Sequence, residues 1–263
     1  MAKPQKPVIK PILYGSWHEK SATRKGTKLM LSILFVSVLY TILGLMLSFD
    51  SPILRIISSA MLVFFAAFYM YAQGATAGET DVHFSEIMYQ HQQEGKPVDA
   101  EDHEHCFHKG KGFYEIGIAL IPYLVITLVL AIATKPIVYS LGVLPSWFQT
   151  AIETTNRGDA LAYYNSESTS LFLPIVRVIA RMLTMPFINV AILYDNTVVF
   201  WAERLTPVLV SIAPLAYGFG YLQGPKLRTK VNTGIKIGVH NKKRKERKAR
   251  KVRTNSKTPE QLI

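Results

Sequence analysis

Imidazole and thiolate side chains crowd one short stretch of this chain. His83, His91, His103, His105 and His108 are five of its seven histidines, and its single cysteine lies inside Asp102-His103-Glu104-His105-Cys106-Phe107-His108. Such groups are good ligands for zinc or copper, and on a helix His103 with Cys106, or His105 with His108, would share a face. His103, His105, Cys106 and His108 are therefore a candidate metal site. A second ligand pair at a familiar finger spacing is missing, so a solvated histidine-rich loop is a competing reading. A pH-responsive loop is a third, because clustered imidazoles beside carboxylates titrate close to neutral pH.

Arg177 and Arg181 form a second constellation, one helical turn apart on one face of an apolar segment, with Thr184 extending the polar stripe. A guanidinium at mid-bilayer costs about 2.5 to 3.5 kcal/mol, so the pair needs water, carboxylates or lipid phosphate. One reading is a polar cavity in which the two forks accept an anionic group. The other places them at the membrane boundary, snorkelling to headgroups or pairing with Asp195, Glu203 or Glu115 to hold helices together.

The third is the tail, Asn241 to Arg253, which reads NKKRKERKARKVR with Glu246 its only acid. Lys242, Lys243, Arg244, Lys245, Arg247, Lys248, Arg250, Lys251 and Arg253 form a candidate lipid-binding surface, each gaining on the order of 1 kcal/mol near an anionic inner leaflet. No aromatic residue interleaves the run to stack on bases, which leaves nucleic acid as a purely electrostatic partner, such as ribosomal RNA.

The elements that must position these groups are helices in lipid. Leu29 to Phe49 and Ile53 to Ala72 are nearly uninterrupted apolar runs, each long enough to cross a hydrocarbon layer about 30 Å thick. Asp50-Ser51-Pro52 between them predicts a tight hairpin, with Arg55 snorkelling to that surface. Of the 30 Lys and Arg residues, 7 precede Leu29 and 14 follow Gly224, so the net charge of +12 belongs to the two flanks. The positive-inside rule places both in the cytoplasm. The first run is too long for a signal core and is expected to stay in the mature protein.

Gly74 to Gly112 reads as an acidic, histidine-rich cytoplasmic loop with 8 carboxylates. Asp81 is expected to cap a short helix in it ending at Gly95, and a second short helix is expected after Asp99. Span three is predicted over Tyr114 to Ala133, with Pro122 a tolerated kink. Pro136 to Phe148 is too short to cross and suits an interfacial helix, residues 150 to 170 are loop-like, Leu171 to Leu193 is apolar but broken by Pro186, and the last span covers Pro207 to Leu222. Gly224-Pro225 is expected to end it. Gly74 with Gly78, and Gly220 with Gly224, have the spacing of close helix crossings, but their place at span ends predicts helix termination. Trp17, Tyr71, Trp147, Trp201 and Tyr221 are expected to be interfacial anchors.

The fold class is thus an all-α polytopic bundle of about five to six transmembrane helices, with a basic arm over 1–28, a membrane domain over 29–223 and a basic tail over 224–263. Five crossings would strand the tail outside, so an even number is required: Pro136 to Phe148 joins flanking residues in a crossing, or Leu171 to Trp201 folds as two short crossings broken near Pro186, or one apparent span is re-entrant, and six is favoured. A lone cysteine excludes an internal disulfide. No nucleophile elbow, HExxH pair or phosphate-cradling glycine loop occurs, so no catalytic or cofactor-binding residue is assigned. A scaffold or accessory subunit of a membrane assembly is the leading reading, and a permease with an arginine-lined anion path the alternative. In its basic tail and intramembrane arginine the chain resembles the membrane protein insertases of bacteria and organelles, which implies a ribosome-contacting tail; the cytoplasmic N-terminus departs from that family's pattern. Compact loops and the lack of a targeting segment point to a bacterial plasma membrane.

Overall fold

The computed structural model describes residues 7–18, 20–134, 172–194 and 196–255. The expected interfacial helix over Pro136 to Phe148, the polar segment 150–170, Trp147, Leu171 and Asp195 lie outside them. The described residues are helical: α1 (Lys20–Met46), α2 (Pro52–Gln93), α3 (Ala100–His105), α4 (Lys111–Ala133), α5 (Phe172–Leu183), α6 (Met185–Ala191), α7 (Asn196–Arg204), α8 (Thr206–Tyr221) and α9 (Gly224–Asn255). Among them the one β feature is an isolated bridge between Tyr14 and Phe107.

Among the described residues three helices, α1, α2 and α4, are long and apolar enough to cross a membrane. The number rises to five if the bent pairs α5–α6 (99°) and α7–α8 (56°) each count as one span. The distribution of side chains agrees. Leu31, Phe64 and Ile132 are 69%, 67% and 81% exposed, while Asp81, Lys111, Glu115 and Glu203 are buried. Apolar outside and charged inside inverts the pattern of a water-soluble domain and suits hydrocarbon as the surrounding solvent.

The hairpin between α1 and α2 forms where Asp50-Ser51-Pro52 predicts it. Pro52 opens α2, where its missing N–H and fixed φ cost nothing, and Arg55 Nε donates to the Phe49 carbonyl at 2.7 Å, closing the turn. One expectation fails nearby. α2 does not stop at Ala72 but continues to Gln93, so half of the acidic segment is helix and Asp81 sits in its interior rather than at a cap. The last span ends at Tyr221, just before Gly224-Pro225 as expected, and that pair then opens α9, with proline in the first turn. The break at Pro186 is as expected, α6 starting at Met185.

Contacts divide the chain into two compact units. The first comprises Met1–Gly26, Tyr69–Ile116 and Leu215–Ile263, and the second Thr27–Phe68 and Gly117–Pro214. In the first, the start of α1, the C-terminal half of α2, α3, the start of α4, the end of α8 and α9 come together. Sequence direction can be read from their contacts. A Cβ on Gly74 would meet Tyr217, one on Gly78 would meet Tyr221, and Gly224 lies against Gly78, so α8 and α9 run parallel to α2. Gly112 lies against Tyr221 and Glu115 bonds Tyr217, so α4 runs antiparallel to α8.

In the second unit, Tyr123 of α4 donates to the Met30 carbonyl of α1 at 2.7 Å. Asn189 of α6 donates to the Gly44 carbonyl near the end of α1 at 2.8 Å, and Leu130 near the end of α4 packs with Val176 and Ala180 of α5. The bent pair α5–α6 therefore lies against the C-terminal ends of α1 and α4.

Candidate functional site

The first unit is organised around Asp81. Its Oδ1 lies 2.5 Å from Lys25 Nζ of α1, and its Oδ2 lies 3.0 Å from Lys111 Nζ of α4 while accepting the Tyr221 hydroxyl of α8 at 2.7 Å. Lys111 is fully buried, and its ammonium also donates to the carbonyls of Glu104 (3.0 Å) and Cys106 (3.4 Å). Glu115, also fully buried, accepts the Tyr217 hydroxyl at 2.7 Å on Oε2, while Oε1 faces Lys25 Nζ at 4.0 Å. Two ammonium groups thus meet two carboxylates, a neutral set. Burying ions costs several kcal/mol each, and only matched charge with hydrogen bonds on the remaining lone pairs offsets that cost.

The segment between α3 and α4 is tied into the same cluster. Ser85 Oγ donates to the Asp81 carbonyl at 2.8 Å and accepts the Phe107 N–H at 2.7 Å, and the Phe107 ring stacks on Tyr221 at 5.3 Å. Gly15 N–H donates to the Phe107 carbonyl and Leu13 N–H to the Ser85 carbonyl, each at 3.2 Å, so the N-terminal arm is held against both.

One turn further along α2 a second clamp forms. Arg228 of α9 donates through Nε to Glu86 and through Nη1 to Glu79, each at 3.0 Å, and Nη2 lies 2.6 Å from His83 Nδ1. A guanidinium can only donate, so this contact takes the His83 tautomer whose Nδ1 accepts. Asn232 donates to the other Glu86 oxygen at 2.7 Å. Beyond Thr233 the side chains of α9 are exposed through Lys248. The seam beneath these clamps is made by Gly74, Gly78, Gly220 and Gly224, where added Cβ atoms would run into facing backbone. All four make close crossings; Gly74 and Gly78 are not the terminators expected from their position, because α2 continues past them, whereas Gly220 and Gly224 do flank the end of α8 and the start of α9.

In the second unit, Arg181 Nε and Nη2 donate to Glu203 Oε1 at 2.8 and 2.6 Å, and Arg177 Nε lies 3.4 Å from Oε2. Glu203 is 1% exposed in its side chain, the arginines 36% and 29%. Of the partners weighed for the pair, Glu203 is in contact, and Asp195 lies outside the described residues. Thr184 is fully buried but donates to its own helix at the Ala180 carbonyl, 2.9 Å, so its hydroxyl is spent locally.

The imidazole and thiol groups are dispersed. Cys106 is buried, its Sγ 3.6 Å from the Asp102 carbonyl, and burial pushes its thiol up, away from the thiolate that ligates or attacks. The His105 ring meets Phe84 edge to face, and His108 Nδ1 accepts the Gly110 N–H at 3.1 Å. The His103 carbonyl accepts the Cys106 N–H at 3.2 Å. Among the described residues no three His, Cys, Asp or Glu side chains converge as a metal ion would require.

Sequence reasoning missed Asp81, Lys111, Glu115, Tyr217 and Tyr221 as one set. Tyr221, expected as an interfacial anchor, is buried on Asp81, whereas Trp17 and Trp201 are half exposed. A signal was present: Gly74, Gly78, Asp81 and Ser85 recur at helical spacing, which reads as one continuous face once α2 is extended through the acidic segment. No known protein family, no curated protein and no solved structure matches this chain.

Proposed function

We propose that the chain is a non-catalytic scaffold or accessory subunit of a plasma-membrane assembly, crossing the bilayer four times with both termini in the cytoplasm. The sequence favoured six crossings; the parallel run of α2 with α8 supports four. Span two returns to the face from which α1 starts, and a helix parallel to it emerges on that face too. The α5–α6 pair, bent by 99° and lying against the far ends of α1 and α4 and against α7, fits a re-entrant segment rather than a crossing.

The observation that carries the functional reading is the contrast between charges used inside the protein and charges left out. Lys25, Lys111, Asp81, Glu115, Arg228 and Glu86 are engaged with one another, whereas α9 leaves its clamp and stands exposed from Gly234 to Lys248. A basic helix held at its base is a contact element. The test has two parts. On a Cys106→Ser background, Ser51→Cys is expected to react with an impermeant maleimide on intact cells, and His240→Cys only after permeabilisation; labelling of residue 240 from outside overturns the topology. Deleting 234–255 is expected to leave insertion intact and lower the native mass of the complex extracted in mild detergent; an unchanged mass overturns the scaffold role.

The anion path is supported by a different feature, the excess of two arginines over one carboxylate at Glu203 among the described residues. On that reading Arg177→Gln lowers anion uptake into vesicles, and unaltered uptake in the folded variant removes it.

A further inference from the structure

The exposed part of α9 points away from the membrane. Gly224 lies against Gly78, Arg228 against Glu79 and Glu86, and Asn232 against Glu86, so eight residues of α9 match eight of α2 and the two helices rise together. The apolar run of α2 ends at Ala72. At 1.5 Å per residue Glu86 stands about 20 Å beyond that end, and Lys242 about 15 Å further along α9. Tilting α2 by the usual 20° removes only about 2 Å of this height. The headgroup layer is several ångströms thick and the Debye length is about 8 Å at physiological salt. The basic run is thus out of reach of the leaflet that its sequence suggested as partner.

Its charge distribution also differs from that of a membrane-surface helix. Such a helix carries an apolar face and a basic face. Here Lys242, Lys243, Arg244, Lys245, Arg247 and Lys248 are all exposed, and at 100° per residue they cover every side of the helix. A flat anionic surface could meet at most half of them. From Lys242 to Arg253 the sequence places nine basic residues over about 17 Å, one charge per roughly 2 Å. Duplex DNA carries one phosphate charge per about 1.7 Å, and its major groove, about 12 Å wide, admits an α-helix between two phosphate walls.

We infer that the free half of α9 is a binding element for double-stranded DNA, held through phosphates on both walls of the groove without reading base sequence. The inference deepens the scaffold reading by naming the partner, and it needs no particular membrane sidedness. Side chains i and i+4 such as Lys243 with Arg247 and Arg244 with Lys248 repel one another along the free helix, and phosphate between them relieves that repulsion.

The test uses the full chain in zwitterionic nanodiscs and a fluorescent 20-base-pair duplex, followed by anisotropy. With about six phosphate contacts, affinity is expected to fall about 10³-fold between 50 and 200 mM salt. Replacing Lys242, Lys243, Lys245 and Lys248 by Gln is expected to weaken binding at least 100-fold at 50 mM and to flatten the log–log salt slope by about four. The same four positions changed to Arg keep both, which separates lost charge from lost folding. Single-stranded DNA of equal phosphate number is expected to bind at least 10-fold more weakly. Equal binding by the Gln variant, by the single strand or by polyglutamate overturns the inference. So does suppression of duplex binding in nanodiscs containing anionic lipid, which would place the run on the leaflet. Because nanodiscs expose both faces, a negative result would leave the topology standing, and a labelling result against the topology would leave this binding measurable.

Discussion

The two charged clusters solve the same problem differently. Around Asp81, two lysines face two carboxylates and every charged group but one carboxylate oxygen of Glu115 finds a hydrogen-bond partner. Around Glu203, two arginines share one carboxylate and keep about a third of their side chains exposed. The first cluster is neutral and, apart from Lys25 with its side chain 31% exposed, closed around Asp81, Lys111 and Glu115, so its electrostatics act where the local dielectric is low and an unmatched charge is severe. Among the described residues the second shows two arginines to one carboxylate, a positive excess that water or headgroups can meet. Closure, not the number of ion pairs, decides how much each contributes to the fold.

The largest effect expected from that difference is at Asp81. Asp81→Asn leaves Lys25 and fully buried Lys111 without their shared counter-charge and is expected to cost about 3 to 5 kcal/mol, read as a drop in the unfolding midpoint of the micellar protein. A variant as stable as the parent would show that the cluster is hydrated and the comparison misdrawn. Gly78→Ala comes next. Its Cβ would collide with the Tyr221 carbonyl, so the α2–α8 seam must open, at about 1 to 3 kcal/mol, and Gly117→Ala, with nothing within 4 Å, serves as the control expected to cost nothing. Glu203→Gln should cost less than Asp81→Asn, about 1 to 2 kcal/mol, because arginines about one-third exposed can turn to solvent. If the Glu203 variant were the more damaging of the two, closure would not be the governing variable.

What the sequence made legible was the part set by long-range composition. Apolar runs, the Asp50-Ser51-Pro52 turn, the break at Pro186 and the span carrying Pro122 all appear where hydropathy and proline place them. Glu203 was among the partners foreseen for Arg177 and Arg181. The Asp81 cluster was not legible, because its members lie on four helices and meet only through tertiary contact, and because polar residues after Ala72 read as loop. A polar helix with no apolar stripe toward lipid carries no hydropathy signal; α2 stays helical to Gln93 because Asp81, Ser85 and Glu86 find partners on α4, α8 and α9 and in the Phe107 segment. Gly74 and Gly78 were misassigned for the same reason: GxxxG at the end of an apolar run looks like termination until the helix is known to go on.

The smallest effects belong to groups outside both clusters, and they sharpen the comparison by showing what distance alone does not decide. Lys96 Nζ lies 2.6 Å from Glu94 Oε2, shorter than the Lys111–Asp81 contact, and the hydrogen bond with its charge holds the Glu94 carboxyl below its ordinary value. A depressed carboxyl contributes stability above its unfolded pKa that is lost as pH falls through the folded one. Both side chains are more than half exposed, however, so water screens the pair and Glu94→Gln is expected to leave the unfolding midpoint unchanged. Cys106 is the converse, with no ion pair but full burial. Because burial raises its thiol, the folded protein is expected to resist a small maleimide at pH 8 while the urea-unfolded chain reacts within minutes, and Asp81→Asn should speed labelling of the folded state by loosening the Phe107 segment that covers it. Equal labelling rates in the parent and the Asp81 variant would show that the cluster around Asp81 does not hold that segment shut.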